Sequence, residues 1–407
     1  MYLYNEKLLV VDLTAGTLQV QSLSDDLAEK TIGGAGLAAL LLEEHAEGDP
    51  VVFATGPLTG TLFPGAALAV LTRKLASGAL VHAPLSLFMG SELKYAGFDA
   101  VVIKGVSARP VYLWVHDGLA SLEDASTLVG LDTWEVSDAI KGDRGDNVVQ
   151  VLAVGPAGEA GSSAAQLVAN YWATGDRAGF GGILGAKGLK AIALRGLGLI
   201  DVEEPEELFE RSLELGMTAA GSAPAQGIAG EDSALQAWLA PFIHRHRGCF
   251  SCPLACFTYL KYDEDPAQMG PAAEEPGFLA TDREALEVLR VAGLEAEGSL
   301  RLLEAASRRG LAPLPVANLA AGRGSTDTSL LGEVEAAGQE PEGPVALTET
   351  GVLGYLLGVC PVVLAAEPAL SEEELLEALR MGSGLELEPG ALAGLLPSGL
   401  LGLARGA

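Results

Sequence analysis

The feature that most constrains this chain is a short cysteine-rich run, Cys249-Phe250-Ser251-Cys252-Pro253-Leu254-Ala255-Cys256. The sequence holds only 4 cysteines; three stand in this run with the spacing C-x2-C-x3-C, and the fourth is Cys360. On a helix, positions i, i+3 and i+7 share one face, so a helical run would bring three thiolates together at one inorganic centre. A fourth cysteine from a distant segment would complete the site.

Two kinds of metal centre compete for these cysteines. Zinc sites usually combine two C-x2-C knuckles or pair Cys with His. Three clustered cysteines and a remote one favour an iron–sulfur cubane, and a proline directly follows both Cys252 and Cys360, as cluster-binding runs often have. We therefore interpret Cys249, Cys252, Cys256 and Cys360 as ligands of a [4Fe–4S] cluster, with zinc as the alternative. Four merely buried thiols would be the plainer explanation, and it suits Cys360 better than the triplet.

Charge and hydropathy exclude several classes of function. The formal net charge of −29 disfavours general nucleic-acid binding and is typical of a solvated acidic surface. The longest apolar run, residues 351–366, is too short for a comfortable membrane span and contains Pro361. No signal peptide is visible at the N-terminus, and the cysteines are too few for a disulfide scaffold. We expect a cytoplasmic protein without a membrane span; its oligomeric state stays open.

The hydrophobic pattern predicts an α+β fold. Strands are predicted at residues 7–13, 18–22, 51–55, 68–72, 100–104, 111–116 and 148–154, and helices at 33–45, 208–215, 233–242, 283–291 and 300–309. Ser371 to Glu374 form a capping box that starts a late helix. Residues 262–277 are predicted to be a loop and 339–344 an exposed linker. We therefore expect a β-rich N-terminal domain at 1–200 and a helical domain at 201–407 that carries the cysteines.

Two local patterns allow two interpretations each. Six glycines lie between Gly175 and Gly188, and tight strand–helix packing explains them about as well as a cofactor does. His244-Arg245-His246-Arg247 stands directly before the cysteine run. It could be a solvated turn that follows the helix at 233–242, or a positive patch that attracts an acidic electron carrier.

Several motifs, in this order, resemble the aldehyde ferredoxin oxidoreductase family. They are Gly56-Pro57-Leu58-Thr59-Gly60, Glu92-Leu93-Lys94-Tyr95-Ala96-Gly97-Phe98-Asp99-Ala100, Gly155-Pro156-Ala157-Gly158-Glu159 and Gly185-Ala186-Lys187-Gly188-Leu189-Lys190-Ala191-Ile192. The cysteine triplet resembles the cluster motif of the family, and Gly358-Val359-Cys360 resembles its fourth-cysteine motif. The resemblance implies a β-rich N-terminal domain with helical domains behind it, a tungsten–bispterin cofactor and one [4Fe–4S] cluster. It also implies oxidation of an aldehyde to an acid, with ferredoxin as electron acceptor.

The same resemblance shows where this chain departs from the family. It is shorter than typical members, and positions that contact the pterins in the family hold Ala67, Pro84, Trp172-Ala173-Thr174, Arg290 and Tyr355. Leu279 stands where the family has its proposed catalytic glutamate, and no histidine follows His246 to serve as the catalytic histidine. A large anionic cofactor needs polar partners, so these replacements together predict a pocket that no longer holds it.

Three hypotheses follow. The first is a pterin-free iron–sulfur protein that acts in electron transfer, with ferredoxin or another redox subunit as partner. The second is an active tungsten or molybdenum aldehyde oxidoreductase with a rebuilt site. The third is a structural subunit whose four cysteines hold zinc or iron for stability. The metal content separates them.

Overall fold

The computed structural model describes residues 1–65, 67–73, 80–85, 87–173, 176–221, 227–230, 233–261, 278–337, 349–364 and 370–395. The strands are β1 (Lys7–Asp12), β2 (Thr17–Ser22), β3 (Val51–Thr55), β4 (Leu68–Arg73), β5 (Leu80–Leu85), β6 (Ala100–Lys104), β7 (Val111–His116), β8 (Leu119–Asp124), β9 (Gln150–Val154), β10 (Leu167–Ala169), β11 (Trp172–Ala173), β12 (Leu189–Arg195), β13 (Ile243–Arg247), β14 (Phe257–Leu260) and β15 (Phe278–Ala280).

The helices are concentrated after β12. They are α1 (Asp25–Thr31), α2 (Gly34–Glu44), α3 (Met89–Tyr95), α4 (Thr133–Arg144), α5 (Pro156–Glu159), α6 (Phe180–Ala186), α7 (Pro205–Ala220), α8 (Ala234–Leu239), α9 (Arg283–Val291), α10 (Ala296–Arg309), α11 (Pro313–Arg323), α12 (Leu330–Ala336), α13 (Glu349–Leu357), α14 (Pro361–Leu364), α15 (Glu372–Ser383) and α16 (Ala391–Gly394). Both α4 and α15 begin with a capping box, at Asp132 and Ser371 respectively.

Two six-stranded sheets form the N-terminal half. The first has the order β2-β1-β6-β3-β4-β5 and the second the order β11-β10-β9-β12-β7-β8. In the first sheet β1 and β6 are parallel, and in the second β7 and β12 are parallel; the other neighbours in both sheets are antiparallel. A long connection therefore links each parallel pair, as parallel strands require.

Alternation along the strands places the core of this half between the sheets. Leu9 and Val11 of β1 share a buried cluster with Leu113 and Val115 of β7, whereas Leu8 and Val10 belong to a second cluster with the residues of α2 and α13. Successive side chains on a strand point to opposite faces, so the first sheet is buried on both sides. A helix layer of α2 and α13 covers its outer face.

The second half is mainly helical. Helices α8 to α12 form their own apolar cluster with Leu286, Leu303 and Ala317 among its buried members. The small sheet β13-β14-β15 joins this half. The expected α+β fold is thus confirmed, with sheets first and helices behind them. The division at residue 200 remains a prediction.

Most of the predicted elements are confirmed, and two interpretations are wrong. The cysteine run is a turn rather than a helix, and the basic quartet lies in strand β13, since α8 already ends at Leu239. The predicted linker at 339–344 and the loop at 262–277 lie outside the described residues.

Candidate metal centre

A β-hairpin brings the cysteine triplet together. Strand β13 pairs antiparallel with β14, and Arg247 lies opposite Phe257. The connecting residues 248–256 are therefore closed at both ends, with Cys249 just after one strand and Cys256 just before the other. This closed loop keeps the three cysteines near one another. The helix inferred from their spacing is not needed to do so.

A tight turn shapes the first part of the loop. The N–H of Cys252 donates to the carbonyl oxygen of Cys249 at 3.1 Å, and Ser251 has a φ of 51°. At Gly248 a Cβ atom would come within 2.6 Å of the Cys252 carbonyl oxygen. Only glycine fits there without a shift of the backbone, so Gly248 allows the chain to fold back over the turn.

Cys360 is held by the N-terminal half of the chain. It follows α13, and its N–H donates to the carbonyl oxygen of Gly65 at 2.8 Å. Gly65 has a φ of 88°, and a Cβ there would lie 2.6 Å from Val363 Cγ2. The close approach of these two segments fixes the position of Cys360 relative to the first sheet.

The four thiols lie close enough to affect one another's ionisation. Burial raises the pKa of Cys252 and of Cys256 to about 12 and raises that of Cys249 well above its ordinary value; a thiolate at Cys360 adds to all three shifts. Burial likewise raises the pKa of Cys360, while the N–H groups of Val362 and Val363 lower it. Such thiols stay protonated at neutral pH until a cation compensates the thiolate charges.

One backbone donor points at the centre. The N–H of Leu87 donates to Cys249 Sγ at 3.1 Å, and the N–H of Phe250 approaches the Leu87 carbonyl oxygen at 3.4 Å. Hydrogen bonds of this kind stabilise a thiolate and tune the potential of a cluster that it binds. Leu87 could not be found from the sequence, because almost any residue can supply a backbone N–H donor.

The structure brings the triplet loop and Cys360 to the same segment, since Ser251 donates to the Leu62 carbonyl oxygen at 3.3 Å and Cys360 to that of Gly65. None of the four cysteines forms a disulfide. Within the described residues, no three His, Cys, Asp or Glu side chains already form a group that could hold a metal ion. The chemistry of the donors nevertheless fits a cluster, because iron–sulfur cubanes are bound by four cysteines and the Leu87 N–H donates to one of these sulfurs. The described helices include none that is long and apolar enough to cross a membrane.

The positions that the resemblance assigns to the pterins do not fit that cofactor. Ala67 is buried and donates its N–H to the Gly358 carbonyl oxygen at 2.9 Å. Tyr355 is buried against the ring of His82, with 5.6 Å between ring centroids. Pro84 lies in β5, opposite Ala69 of β4. Ala67 and Pro84 offer no polar side-chain group. The Tyr355 hydroxyl and the ring nitrogens of His82 are buried without a partner within the described residues, but burial lowers the pKa of His82 to about 4, so neither group brings positive charge for an anionic cofactor.

Backbone contacts also close the space beside α13. A Cβ at Gly34 would lie 2.1 Å from the Tyr355 carbonyl oxygen, and one at Gly56 would lie 2.0 Å from the carbonyl carbon of Leu357. The end of α13 is therefore in direct backbone contact with the start of α2 and with the residue that follows β3. Such contacts leave no room for a bulky group between these segments.

The remaining departures have separate outcomes. Arg290 lies on α9 and donates to Glu287 at 2.7 Å, so its guanidinium serves a local ion pair. The side chains of Ala173 and Leu279, and all of Thr174, lie outside what the structure describes. In the glycine run, a Cβ at Gly185 would lie 2.0 Å from the Gly158 carbonyl oxygen. Packing of α5 against α6 therefore accounts for this glycine.

Comparison with known proteins places the fold in context. Residues 8–196 match the family model described as aldehyde ferredoxin oxidoreductase, N-terminal domain. The chain is 32% identical over 295 residues to a tungsten-containing aldehyde ferredoxin oxidoreductase of Pyrococcus abyssi, covering 63% of this chain and 49% of that protein. It is 30% identical over 232 residues to the aliphatic sulfonate oxidoreductase, WOR-like subunit, of Pyrococcus furiosus, covering 51% and 37%.

A solved structure shares the fold. The active site complex BamBC of benzoyl coenzyme A reductase, solved with 1,5-dienoyl-CoA, gives a TM-score of 0.67 at 22% identity, covering 82% of this chain and 56% of that one. The double-sheet domain followed by helices is thus the fold that the two proteins share. By sequence, the chain resembles a shortened and divergent member of the aldehyde ferredoxin oxidoreductase family, most clearly over residues 8–196. It spans about half the length of the curated relatives that it matches.

Proposed function

We propose that this protein is an iron–sulfur electron-transfer protein that carries a [4Fe–4S] cluster on Cys249, Cys252, Cys256 and Cys360 and works without tungstopterin. The observation that carries the proposal is that two distant segments place four cysteines against the same stretch of the chain: Ser251 of the triplet loop donates to Leu62, and Cys360 donates to Gly65. A bound cluster would supply one-electron transfer.

The residues around the cysteines suit that role. The β13–β14 hairpin holds three of the cysteines in one closed loop, and the Gly65 contact holds the backbone of the fourth, so two fixed backbone segments would supply the ligands. Leu87 donates to Cys249 and would favour the more electron-rich state of a cluster bound there.

The pterin-free part of the proposal rests on the positions described above. Ala67 and Tyr355 are packed in the core, and the end of α13 is in backbone contact with Gly34 and Gly56. Each of these changes could be compensated alone, but together they leave these positions without a charged partner for the cofactor and close the space beside α13. The cysteines are retained although the pterin contacts are not, which supports a role that needs only the cluster.

Substitution of cysteines tests the cluster. We expect Cys252→Ser and Cys360→Ser each to lower the iron content of anaerobically purified protein, or to convert the cluster to a three-iron form. Ser251→Ala, a change in the same turn that removes no thiol, should retain wild-type iron. Iron analysis and electron paramagnetic resonance of the reduced protein report both outcomes. Full iron with an unchanged spectrum in both cysteine variants would refute this ligand assignment.

One second function has a specific observation in its favour. The curated relatives at 30–32% identity are named tungsten-containing aldehyde ferredoxin oxidoreductases. If the chain shares the activity that the names of these relatives describe, it binds tungstopterin and oxidises an aldehyde, with ferredoxin as electron acceptor. Aldehyde-dependent reduction of a dye by protein from a host that makes tungstopterin would support this second function over the first.

The partner of an electron-transfer protein is another redox protein. One relative is named a subunit, and the solved structure that shares the fold is titled a complex. We therefore propose ferredoxin or another redox subunit as the partner. The exposed Arg245 of β13 stands four residues before Cys249 and provides positive charge near the cysteine turn.

A further inference from the structure

Helix α7 has two apolar faces, and only one of them is buried. Leu208, Leu215 and Ala219 pack into the core that also contains residues of α15. The second face, formed by Phe209, Leu213 and Met217, is 49%, 53% and 64% exposed. The three residues are spaced four apart and so form one stripe along the helix. A surface helix usually has polar residues on its outer face, and no residue that the structure describes covers this stripe.

The stripe forms one wall of a groove beside the cysteines. The groove has a volume of about 390 Å³ and is lined also by Leu62, which is 52% exposed, by Pro64, and by Cys249 and Cys252. A Cβ at Gly216 of α7 would lie 3.7 Å from Pro253, so the helix approaches the cysteine turn closely. Contiguous exposed apolar side chains that line one groove mark an interaction site more often than scattered ones do.

A buried polar atom in the groove points to a missing ligand. Ser212 lines the groove and is 3% exposed, and its hydroxyl oxygen has no hydrogen-bond partner within the described residues. A serine on a helix can satisfy its hydroxyl by bonding to the carbonyl four residues earlier, and Ser137 does so in α4. Ser212 does not, although an unpaired buried hydroxyl is costly. A donor or acceptor supplied by a bound partner would remove this cost.

Charge around the groove selects the kind of partner. Glu206, Glu210 and Glu214 are exposed and form a second stripe, about 60° around the helix from the apolar one. The nearest cation on α7, Arg211, is engaged by Glu214 and by Glu377 of α15. The groove therefore has an apolar wall with an acidic border. With a net charge of −29, a second copy of the chain would be repelled, as would an anionic membrane.

We propose that this groove docks an amphipathic helix of a separate polypeptide, with its apolar side chains against Phe209, Leu213 and Met217 and its lysines or arginines against the glutamate stripe. The docked helix would lie beside Cys249 and Cys252. The inference builds on the proposed electron-transfer function, since it names the surface through which a redox subunit reaches the cluster. Docking itself needs only the groove, so the two proposals can fail separately.

The test uses the full chain and two designed peptides. Each peptide is a fluorescein-labelled amphipathic helix with leucines at positions i, i+4 and i+7; one carries flanking lysines and the other flanking glutamates. The groove variant is Leu213→Glu with Met217→Glu. The control variant, Val291→Glu with Leu119→Glu, makes the same charge change at residues of other elements that are also more than half exposed, 73% and 62%. Fluorescence anisotropy gives Kd, and iron content and spin signal are measured on each protein.

We expect the lysine peptide to bind wild-type and control protein, and the groove variant to bind it at least tenfold more weakly with unchanged iron content. The glutamate peptide should not bind. Equal binding of the lysine peptide to the groove variant, or no binding to any protein, would refute the docking proposal. If wild-type protein instead forms a dimer or binds phosphatidylcholine vesicles, and only the groove variant loses that property, the groove belongs to another occupant and the docking proposal is refuted. Loss of iron from wild-type protein with peptide binding intact would refute the cluster alone.

Discussion

The backbone N–H of Leu87 donates a hydrogen bond to Cys249 Sγ across 3.1 Å. This contact joins the segment after β5 to the cysteine turn, which is 162 residues later in the chain. Leu87 is buried and has a φ of 71°, a conformation that costs a leucine free energy. The surrounding structure holds Leu87 in this strained conformation, and Leu87 is the residue that donates the hydrogen bond to Cys249 Sγ.

The basic residues of β13 give a prediction about electron exchange. Arg245→Gln with Arg247→Gln should slow exchange with an acidic carrier such as a ferredoxin severalfold at low ionic strength and hardly at all in high salt, because salt screens exposed charges. Stopped-flow absorbance measures the rates. Both arginines also lie over aromatic rings, of Tyr259 and Phe88, so folding must be checked.

The matched control keeps the charges. Arg245→Lys with Arg247→Lys should retain most of the low-salt rate, since an attractive patch depends on charge rather than on guanidinium shape. If the glutamine variant exchanges electrons at the wild-type rate in low salt with its iron intact, β13 has only a structural role.

A buried ion pair predicts a large loss of stability. Lys94 Nζ lies 2.6 Å from Asp99 Oδ1, and both side chains are 1% exposed. Asp99→Asn would leave a buried ammonium without its counter-charge, so we expect the free energy of unfolding in urea to fall by about 3–5 kcal/mol. The control is Asp26→Asn, which breaks the exposed pair with Lys30 and should cost less than about 0.5 kcal/mol. Equal, small losses in both variants would contradict the burial of the pair.

Asp176 gives a prediction about pH. Burial raises the pKa of this carboxyl group to about 6, although the N–H groups of Leu167 and Ala178 partly oppose the shift. The folded state thus binds this proton more tightly than the unfolded state does. Its contribution to stability is complete below about pH 4 and is lost as the pH rises through about 6.

Comparison with Asp176→Asn isolates that contribution. The free energy of unfolding of the wild-type protein, minus that of the variant, should fall by about 2–3 kcal/mol between pH 4 and pH 7 and then stay constant. Urea titrations at several pH values measure it, and other titrating groups such as His82 cancel in the difference. A difference that grows as the pH rises would show that the carboxylate is stabilised instead.

How much of the fold the sequence predicts depends on the element. The bounds of β3, β6, β7 and α9 follow from short apolar or amphipathic runs between turn residues, and the structure has them at the predicted positions. Strand β8, with the sequence Leu-Ala-Ser-Leu-Glu-Asp, was missed because its side chains are only half-buried and its pattern is weak. Residues 119–124 form a strand because they pair with β7. Such pairing depends on the tertiary structure and cannot be seen in the local sequence.

The candidate centre shows the same limit. Residue type and spacing identified the four cysteines, but spacing alone predicted a helix where the β13–β14 pairing makes a closed loop. The donor at Leu87 could not be predicted, since every residue except proline has a backbone N–H. The exposed stripe of α7 could not be predicted either, because a helical apolar pattern does not tell which face other elements will cover.

The metal content of anaerobically purified protein tests the central claim most directly. The protein should be produced in a host able to make tungstopterin, so that both groups are available to it. We expect about four irons per chain, a brown colour, and neither tungsten nor molybdenum, because four thiolates hold one cubane while the pterin positions are filled. Stoichiometric zinc without iron would contradict the cluster. Near-stoichiometric tungsten or molybdenum, with a fluorescent pterin derivative, would contradict the pterin-free account and favour the aldehyde oxidoreductase.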